Sequence, residues 1–227
     1  GAAVTWIVLR FARGGRARYI SHLDTARALQ RTFARAGIPL AMSAGMRPKP
    51  RISLGLPLPV GVEGRDEVAA AEVTGDVTHP GELVERLREA AAEGLLPTAV
   101  ELWPQRPRLD PVAARYECLT ELDGTAAEAA VRAFGAAEEI FVERVSPKGR
   151  RMVDLKRLVT VDGARRAPEG WWMGFTVRHR ADGAARPEEV VRWLLGGDAA
   201  SPPAARIVRL GVEYTGVPVR PGSRESE

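Results

Sequence analysis

The sequence predicts an α+β protein with antiparallel sheets, organised as two successive units of βαββαβ type. Three observations predict it. Strand-like and helix-like stretches follow one another in that order over residues 1–104. Pro104 and Pro107 then interrupt the pattern, and a similar order restarts at residue 108 and runs to 220. Proline cannot extend a ladder, so two within four residues read as a linker. The βαββαβ order is the split arrangement of ferredoxin-like domains, a fold that hosts many functions.

Val4 to Arg13 is rich in Val, Ile, Leu and aromatic residues and reads as a buried strand ended by Gly14-Gly15. Ser21 is placed to cap a helix, with Asp24 three residues on at the positive end of its dipole. That helix should reach Ala36, stopped by Gly37 and Pro39. Arg51 to Leu58 and Glu67 to Val73 read as the second and third strands, Gly81 to Glu93 as the second helix and Ala99 to Trp103 as the fourth strand. In the second unit, strands are expected at Ala113–Glu121, Ile140–Val145, Arg151–Val161, Trp171–His179 and Ile207–Tyr214, one more than the repeat requires. Helices are expected at Ala126–Phe134 and at Pro187–Leu195, where Pro187 suits a first turn. Pro221 to Glu227 lacks apolar anchors and is expected to be a flexible tail.

Charge is distributed unevenly over these units. The first 51 residues hold ten Lys or Arg and a single acid, Asp24, whereas the other 176 carry 23 basic and 28 acidic groups. A basic lobe on a mildly acidic body is expected where one surface meets a polyanion, and RNA or DNA phosphate is the first candidate. Scarce lysine and abundant Ala, Gly and Pro fit a GC-rich genome, which accounts for the arginine preference but leaves the clustering unexplained. Cys118 is the single cysteine, so no disulfide, cysteine-based zinc cluster or cysteine-rich iron–sulfur site can form within these residues. No apolar run approaches the roughly 20 residues that cross a bilayer, and no signal-peptide pattern opens the chain. A cytoplasmic protein without membrane attachment is therefore expected.

The first helix concentrates the basic residues. At 100° per residue, Leu23, Ala26, Leu29, Phe33 and Ala36 share one broad face, and Arg27, Arg31 and Arg35 form a stripe on the other. Like charges at i,i+4 repel by a few tenths of a kcal/mol, about the size of one such pair, so a stripe opposed by Asp24 alone fits an anionic partner as well as a solvated back. His22 falls within the apolar arc. It reads either as a partly buried, hydrogen-bonded histidine or, beside Tyr19 and arginines, as a general base. His79 and His179 are isolated, and neither a metal nor a cofactor is expected. Pro48 and Pro50 force Arg47 and Lys49 into extended backbone, and the Gly45 amide is free to approach a phosphate. That stretch fits a rigid connector and an anion-binding segment equally. In the second unit, Lys148-Gly149-Arg150-Arg151 reads as a basic hairpin tip, and Trp171-Trp172 as core rather than base-stacking residues.

Three phrases carry a family resemblance: Tyr19-Ile20-Ser21-His22-Leu23-Asp24; Ser43, Gly45, Pro48, Pro50, Arg51, Ile52 and Ser53; and Pro57-Leu58-Pro59 with Gly61. The pattern resembles the radical-SAM-associated domain of unknown function 2344, with Val153-Asp154-Leu155 as a weaker match further on. Met46 stands where the pattern leads one to expect an aromatic residue. Members occur alone or fused to radical SAM proteins, often encoded near ribonuclease and ribosomal-protein genes, so the resemblance implies RNA or ribosome biology. A radical SAM enzyme needs three cluster cysteines, so such a partner must act in trans.

The leading expectation is an accessory module that binds RNA or a ribosomal component through Arg16, Arg18, Arg27, Arg31, Arg35, Arg47, Lys49 and Arg51, without catalysis of its own. One alternative is a metal-independent RNA-processing nuclease using His22 and Tyr19, by analogy with tandem ferredoxin-like endonucleases. The other is a module whose basic face meets an acidic protein.

Overall fold

The computed structural model describes residues 4–75, 77–147, 149–197 and 205–219. The protein is mixed α+β with largely antiparallel sheet pairing and five α-helices among the described residues. It divides into two compact units, one comprising residues up to Pro111 together with those from Gly211 onward, the other spanning Val112–Leu210.

In the first unit β1 (Val4–Arg13) is central. It pairs antiparallel with β3 (Glu63–Thr74) on one side and β4 (Leu95–Trp103) on the other, and β2 (Ile52–Leu54) adds to β3. Alternation puts Ile7, Leu9 and Phe11 on the same sheet face as Ala69, Ala71 and Val73. They share one core with Leu29 and Phe33 of α1 (His22–Arg35) and with Leu83 and Leu87 of α2 (Pro80–Ala90). Three small alanines, Ala69 to Ala71, leave room on β3 for bulkier neighbours to close in.

Several boundaries differ from expectation, each for a local reason. The strand expected over Arg51–Leu58 ends at Leu54, because the Leu56 amide donates to the Tyr214 hydroxyl (2.8 Å) and the Leu58 carbonyl turns to a buried arginine. β4 begins four residues early, at Leu95; Pro97 is tolerated where the β1 register shifts between Arg10 and Phe11. α2 stops at Ala90, not Glu93, as Ala91 adopts extended geometry. The buried side of α1 is also rotated: Thr25, Ala28, Leu29, Thr32 and Phe33 face inward, while Leu23 is 58% exposed and His22 lies at the surface. Threonine is admitted inside because each hydroxyl donates to the carbonyl four residues back, Thr25 to Ser21 (2.9 Å) and Thr32 to Ala28 (3.0 Å).

In the second unit β5 (Pro111–Thr120) pairs with β9 (Gly170–Arg178), which pairs with β8 (Val159–Ala167), both antiparallel. β10 (Arg206–Tyr214) lies beside β5 in the strand order, its residues from Gly211 on belonging to the first unit. Two helices, α3 (Gly124–Ala136) and α5 (Pro187–Leu194), bury Phe134, Val190 and Leu194, and β9 buries Met173 and Phe175 on one face and Trp172 on the other. Tyr116 stacks on Phe175 across β5 and β9 at 5.4 Å. A separate hairpin of β6 (Phe141–Ser146) and β7 (Gly149–Asp154) stands outside this sheet. The single strand expected over Arg151–Val161 is in fact β7, a one-turn helix α4 (Leu155–Leu158), then β8. Asp154 causes the break: its Oδ1 accepts from both the Lys156 and Ile140 amides (3.0 and 3.3 Å). Trp172 is buried, and its indole N–H donates to Glu169 at 2.8 Å. The expected tail, Pro221–Glu227, and Lys148 lie outside the described residues.

Candidate nucleic-acid interface

The basic residues of the first unit sort into two kinds. Arg10 and Arg13 are buried and knit the fold together. Arg10 lies against Asp66 and Glu101 (2.9 Å each) and donates to the Pro218 carbonyl at 2.7 Å. Arg13 donates to Thr25 Oγ1 (2.9 Å) and to the carbonyls of Leu58 (3.2 Å), Pro59 (3.3 Å) and Ile20 (3.4 Å). One guanidinium thus ties the Tyr19–Asp24 phrase to the Pro57–Pro59 phrase, two segments separated by some forty residues of sequence. Charge-assisted bonds of this kind each contribute about 1.5–3 kcal/mol. Beside Arg13 is a cavity of about 10 Å³ bordered by His22, Thr25, Glu67 and the Leu54–Leu56 backbone. It has room for about one water. Tyr19 does not border it; the Tyr19 hydroxyl accepts from Arg18 at 2.7 Å, and the Arg18 guanidinium lies 4.7 Å from its ring centre.

Arg10 and Arg13 are two of the ten basic residues in the first 51, yet neither adds to the exposed charge. Their strand parity was the available signal: Arg13 shares the alternation of Ile7, Leu9 and Phe11, which places it on the helix-covered face.

The remaining cations reach solvent. Arg16 sits on a 3-10 turn (Gly15–Tyr19), whereas Arg18 is half-buried and pinned to Glu63 at 3.0 Å. On α1, Ser21 caps the helix by accepting from the Asp24 amide (3.1 Å) and also donates to the Asp24 carboxylate (2.7 Å). The Ser21 hydroxyl, then Arg27 and Arg31, hold the Asp24 carboxyl below its ordinary value. Arg27 pairs with Asp24 at 3.3 Å; among the described residues, neither Arg31 nor Arg35 has a carboxylate within 4.0 Å.

Residues 41–51 form a projecting loop with a fixed base. The Arg51 amide donates to Ala41 (2.8 Å), Ser43 donates to the Lys49 carbonyl (2.8 Å), and the Lys49 amide donates to Ser43 Oγ (2.9 Å). Ala41 and Arg51 are in turn bonded to the Glu72 backbone on β3 at 2.8 and 2.9 Å. The residue types follow from this shape: Ser43 closes the loop twice, Gly45 takes φ +120°, and Pro48 and Pro50 have no amide hydrogen to lose. Met46 at the tip is fully exposed, and Arg47 and Lys49 are exposed beside it. Arg51 instead lies 2.5 Å from Glu72 Oε2 with its guanidinium 5.6 Å from the Trp6 ring.

Other chemistry is sparse. Among the described residues no group of three or more His, Cys, Asp or Glu is placed to hold a metal ion. Cys118 is buried in β5, and burial pushes its thiol up to about 12. Burial likewise lowers the His179 imidazole below its usual range, with Arg209 adding to the effect. No described helix is long and apolar enough to cross a membrane.

These features define an α+β protein whose first unit displays an arginine-striped helix and a latched basic loop. The chain belongs to the family described as "Uncharacterized protein conserved in bacteria (DUF2344)", which matches residues 7–180 and so includes all three phrases noted above. No curated protein matches it. Among solved structures, an unknown protein from Galdieria sulphuraria is similar at 11% identity, over 94% of this chain and 99% of that one, with a TM-score of 0.28.

Proposed function

We propose that this protein is an RNA-binding accessory module that works in the cytoplasm with a separate radical SAM protein in RNA modification or processing. The observation that carries the reading is the set Arg31, Arg35, Arg47 and Lys49: all are exposed, and none has a carboxylate partner among the described residues. Surfaces that solvent alone neutralises mix their charges; unpaired guanidiniums on rigid elements suit phosphate. Glu72 and Ser43 hold the loop in place before any ligand arrives. The radical SAM association rests on the family resemblance, and the buried Cys118 leaves any cluster-based step outside these 227 residues.

A tandem ferredoxin-like architecture is the accompanying proposal. The order β4-β1-β3 with β2 on β3 supports it for the first unit, and β10-β5-β9-β8 for the second, with the β6–β7 hairpin as an insertion. Such sheets are widely used scaffolds, so the function rests on the surface and not on the fold.

Fluorescence anisotropy with short single-stranded cellular RNAs tests the reading. Four phosphate contacts give a slope of log affinity against log salt of roughly −3. No binding at low salt, alone or with the radical SAM partner, sinks it. Cleavage that persists in EDTA and disappears in His22→Ala would replace it with the nuclease reading. A partner protein that stays bound after ribonuclease digestion would favour an acidic protein surface.

A further inference from the structure

A cavity of about 120 Å³ lies wholly within the second unit, beneath the β6–β7 hairpin, and is bordered by Arg144, Arg151, Arg157, Asp154 and Asp182. Its walls also include Met152, Val153 and Leu158. We propose that this cavity binds a phosphomonoester, with the phosphoryl group held by the three arginines and the organic part against the apolar wall.

The donors around the cavity differ in how far they are already committed. Arg144 is buried, and its guanidinium is fixed: Nε donates to Glu189 Oε1 (2.5 Å), and Nη2 to Glu189 Oε2 (2.6 Å) and to the Ala184 carbonyl (2.9 Å). Nη1 has no hydrogen-bond partner among the described residues, so a rigidly held guanidinium edge remains for a ligand. Arg151 has no carboxylate within 4.0 Å among the described residues. Its Nη2 lies 3.9 Å from where a Cβ on Gly183 would stand, which locates the group at the cavity's Gly183 side. Arg157 has only a loose, solvent-exposed contact with Asp182 at 3.7 Å, the kind of pair that stabilises little and exchanges partners readily.

The acids in the lining do not cancel this surplus. Asp154 and Asp182 are the acids of the lining, and Asp154 Oδ1 is occupied by two backbone amides; Glu189, outside the lining, is taken up by Arg144 and the Arg186 amide (2.8 Å). Asp182 faces Arg157 alone, so it acts as a placeholder that an incoming oxyanion displaces. A carboxylate offers two oxygens to the three arginines that border the cavity, whereas a phosphoryl group presents three. The volume also exceeds what a bare ion needs. The Val153-Asp154-Leu155 stretch, the weaker of the family phrases, builds this wall: Asp154 caps the turn that puts Arg157 at the rim.

The site is independent of the α1 and loop surface, so either proposal can fail without the other. Isothermal titration of the intact protein with inorganic phosphate, adenosine 5′-monophosphate and adenosine tests it first. Binding of the two phosphate-bearing probes, none of adenosine, and a phosphorus resonance that shifts on binding are the expected results. Arg151→Ala and Arg157→Ala each weaken binding about tenfold, the loss of one or two charge-assisted bonds, while Asp182→Asn tightens it. Both arginines are exposed, so an unchanged urea midpoint separates lost binding from misfolding. A matched RNA pair with a 5′-phosphate or a 5′-hydroxyl then identifies the source: discrimination assigns the site to an RNA 5′ end, and binding of the mononucleotide without discrimination assigns it to free nucleotide. Equal affinity for adenosine and its monophosphate, or unchanged affinity in both arginine variants, overturns the proposal. Loss of binding in Asp182→Asn also overturns it, since that result belongs to a cationic ligand.

Discussion

The two units present their uncommitted cations in opposite ways. In the first, Arg31, Arg35, Arg47 and Lys49 stand out from a helix and a projecting loop, where each is independently available. In the second, Arg144, Arg151 and Arg157 border one enclosure, and the most buried of them is locked by Glu189. A spread of separate cations responds to the charge density of a polymer, additively and with strong salt dependence. A convergent set responds to the shape of one group. Charge counts along a sequence do not separate these two arrangements; burial and partner identity do.

Variants in each unit test this contrast. The largest effect is expected for Glu189→Ala, which strands the buried Arg144 guanidinium and should lower stability by about 3–5 kcal/mol in urea unfolding. Glu189 also gives the comparison a pH axis. Burial raises its carboxyl and the bonds from Arg144 and the Arg186 amide lower it, with the lowering dominant. A carboxylate depressed on folding stabilises the protein above its ordinary value of 4.5 and loses that contribution as pH falls through the folded value. Wild-type stability should therefore fall on acidification below about 4.5, and the Glu189→Gln variant should show a shallower decline.

Next is Arg13→Met, which removes the hydrogen bonds that join the Tyr19–Asp24 and Pro57–Pro59 phrases. A loss of about 2–3 kcal/mol is expected from the unsatisfied carbonyls, with faster amide exchange over residues 55–61. If exchange there is unchanged, Arg13 is not the tie between the phrases. Third, Arg31→Gln combined with Arg35→Gln should make the salt slope of RNA binding about 1.4 less negative, leaving phosphate binding by the second unit intact. Ser21→Ala is the mildest change, about 1 kcal/mol for loss of an N-cap, read as a small drop in the urea midpoint. Cys118 offers a probe of the second unit alone: with its thiol pushed up to about 12, it should resist alkylation at pH 8 until that unit opens.

Local chemistry made part of the architecture legible in the sequence. The Ser21 cap, the buried β1 pattern and the Pro187 helix start depend on neighbours within a few positions, and all three stand in the structure. The boundaries that moved depend on distant groups. β2 is short because Tyr214 takes the Leu56 amide, and α1 is rotated because two threonines bond to their own helix backbone, allowing Leu23 to stay outside. Arg13 was legible in principle from its parity in β1, yet its carbonyl partners are known only once the Pro57–Pro59 segment is placed. The second-unit cavity was not legible. Its arginines come from β6, β7 and α4, and the Asp154 turn that gathers two of them looked like continuous strand.

The bond from Leu56 to Tyr214 also bears on the order in which the molecule is made. Together with the Arg10 contact to Pro218, it links residues 158 and 208 positions apart within one unit. Local contacts form early and distant ones late. A ribosome will therefore deliver the whole Val112–Leu210 segment before the first unit can close over Gly55 and satisfy Arg10. The unit that is translated first is completed last, and until then its basic loop belongs to an unfinished body.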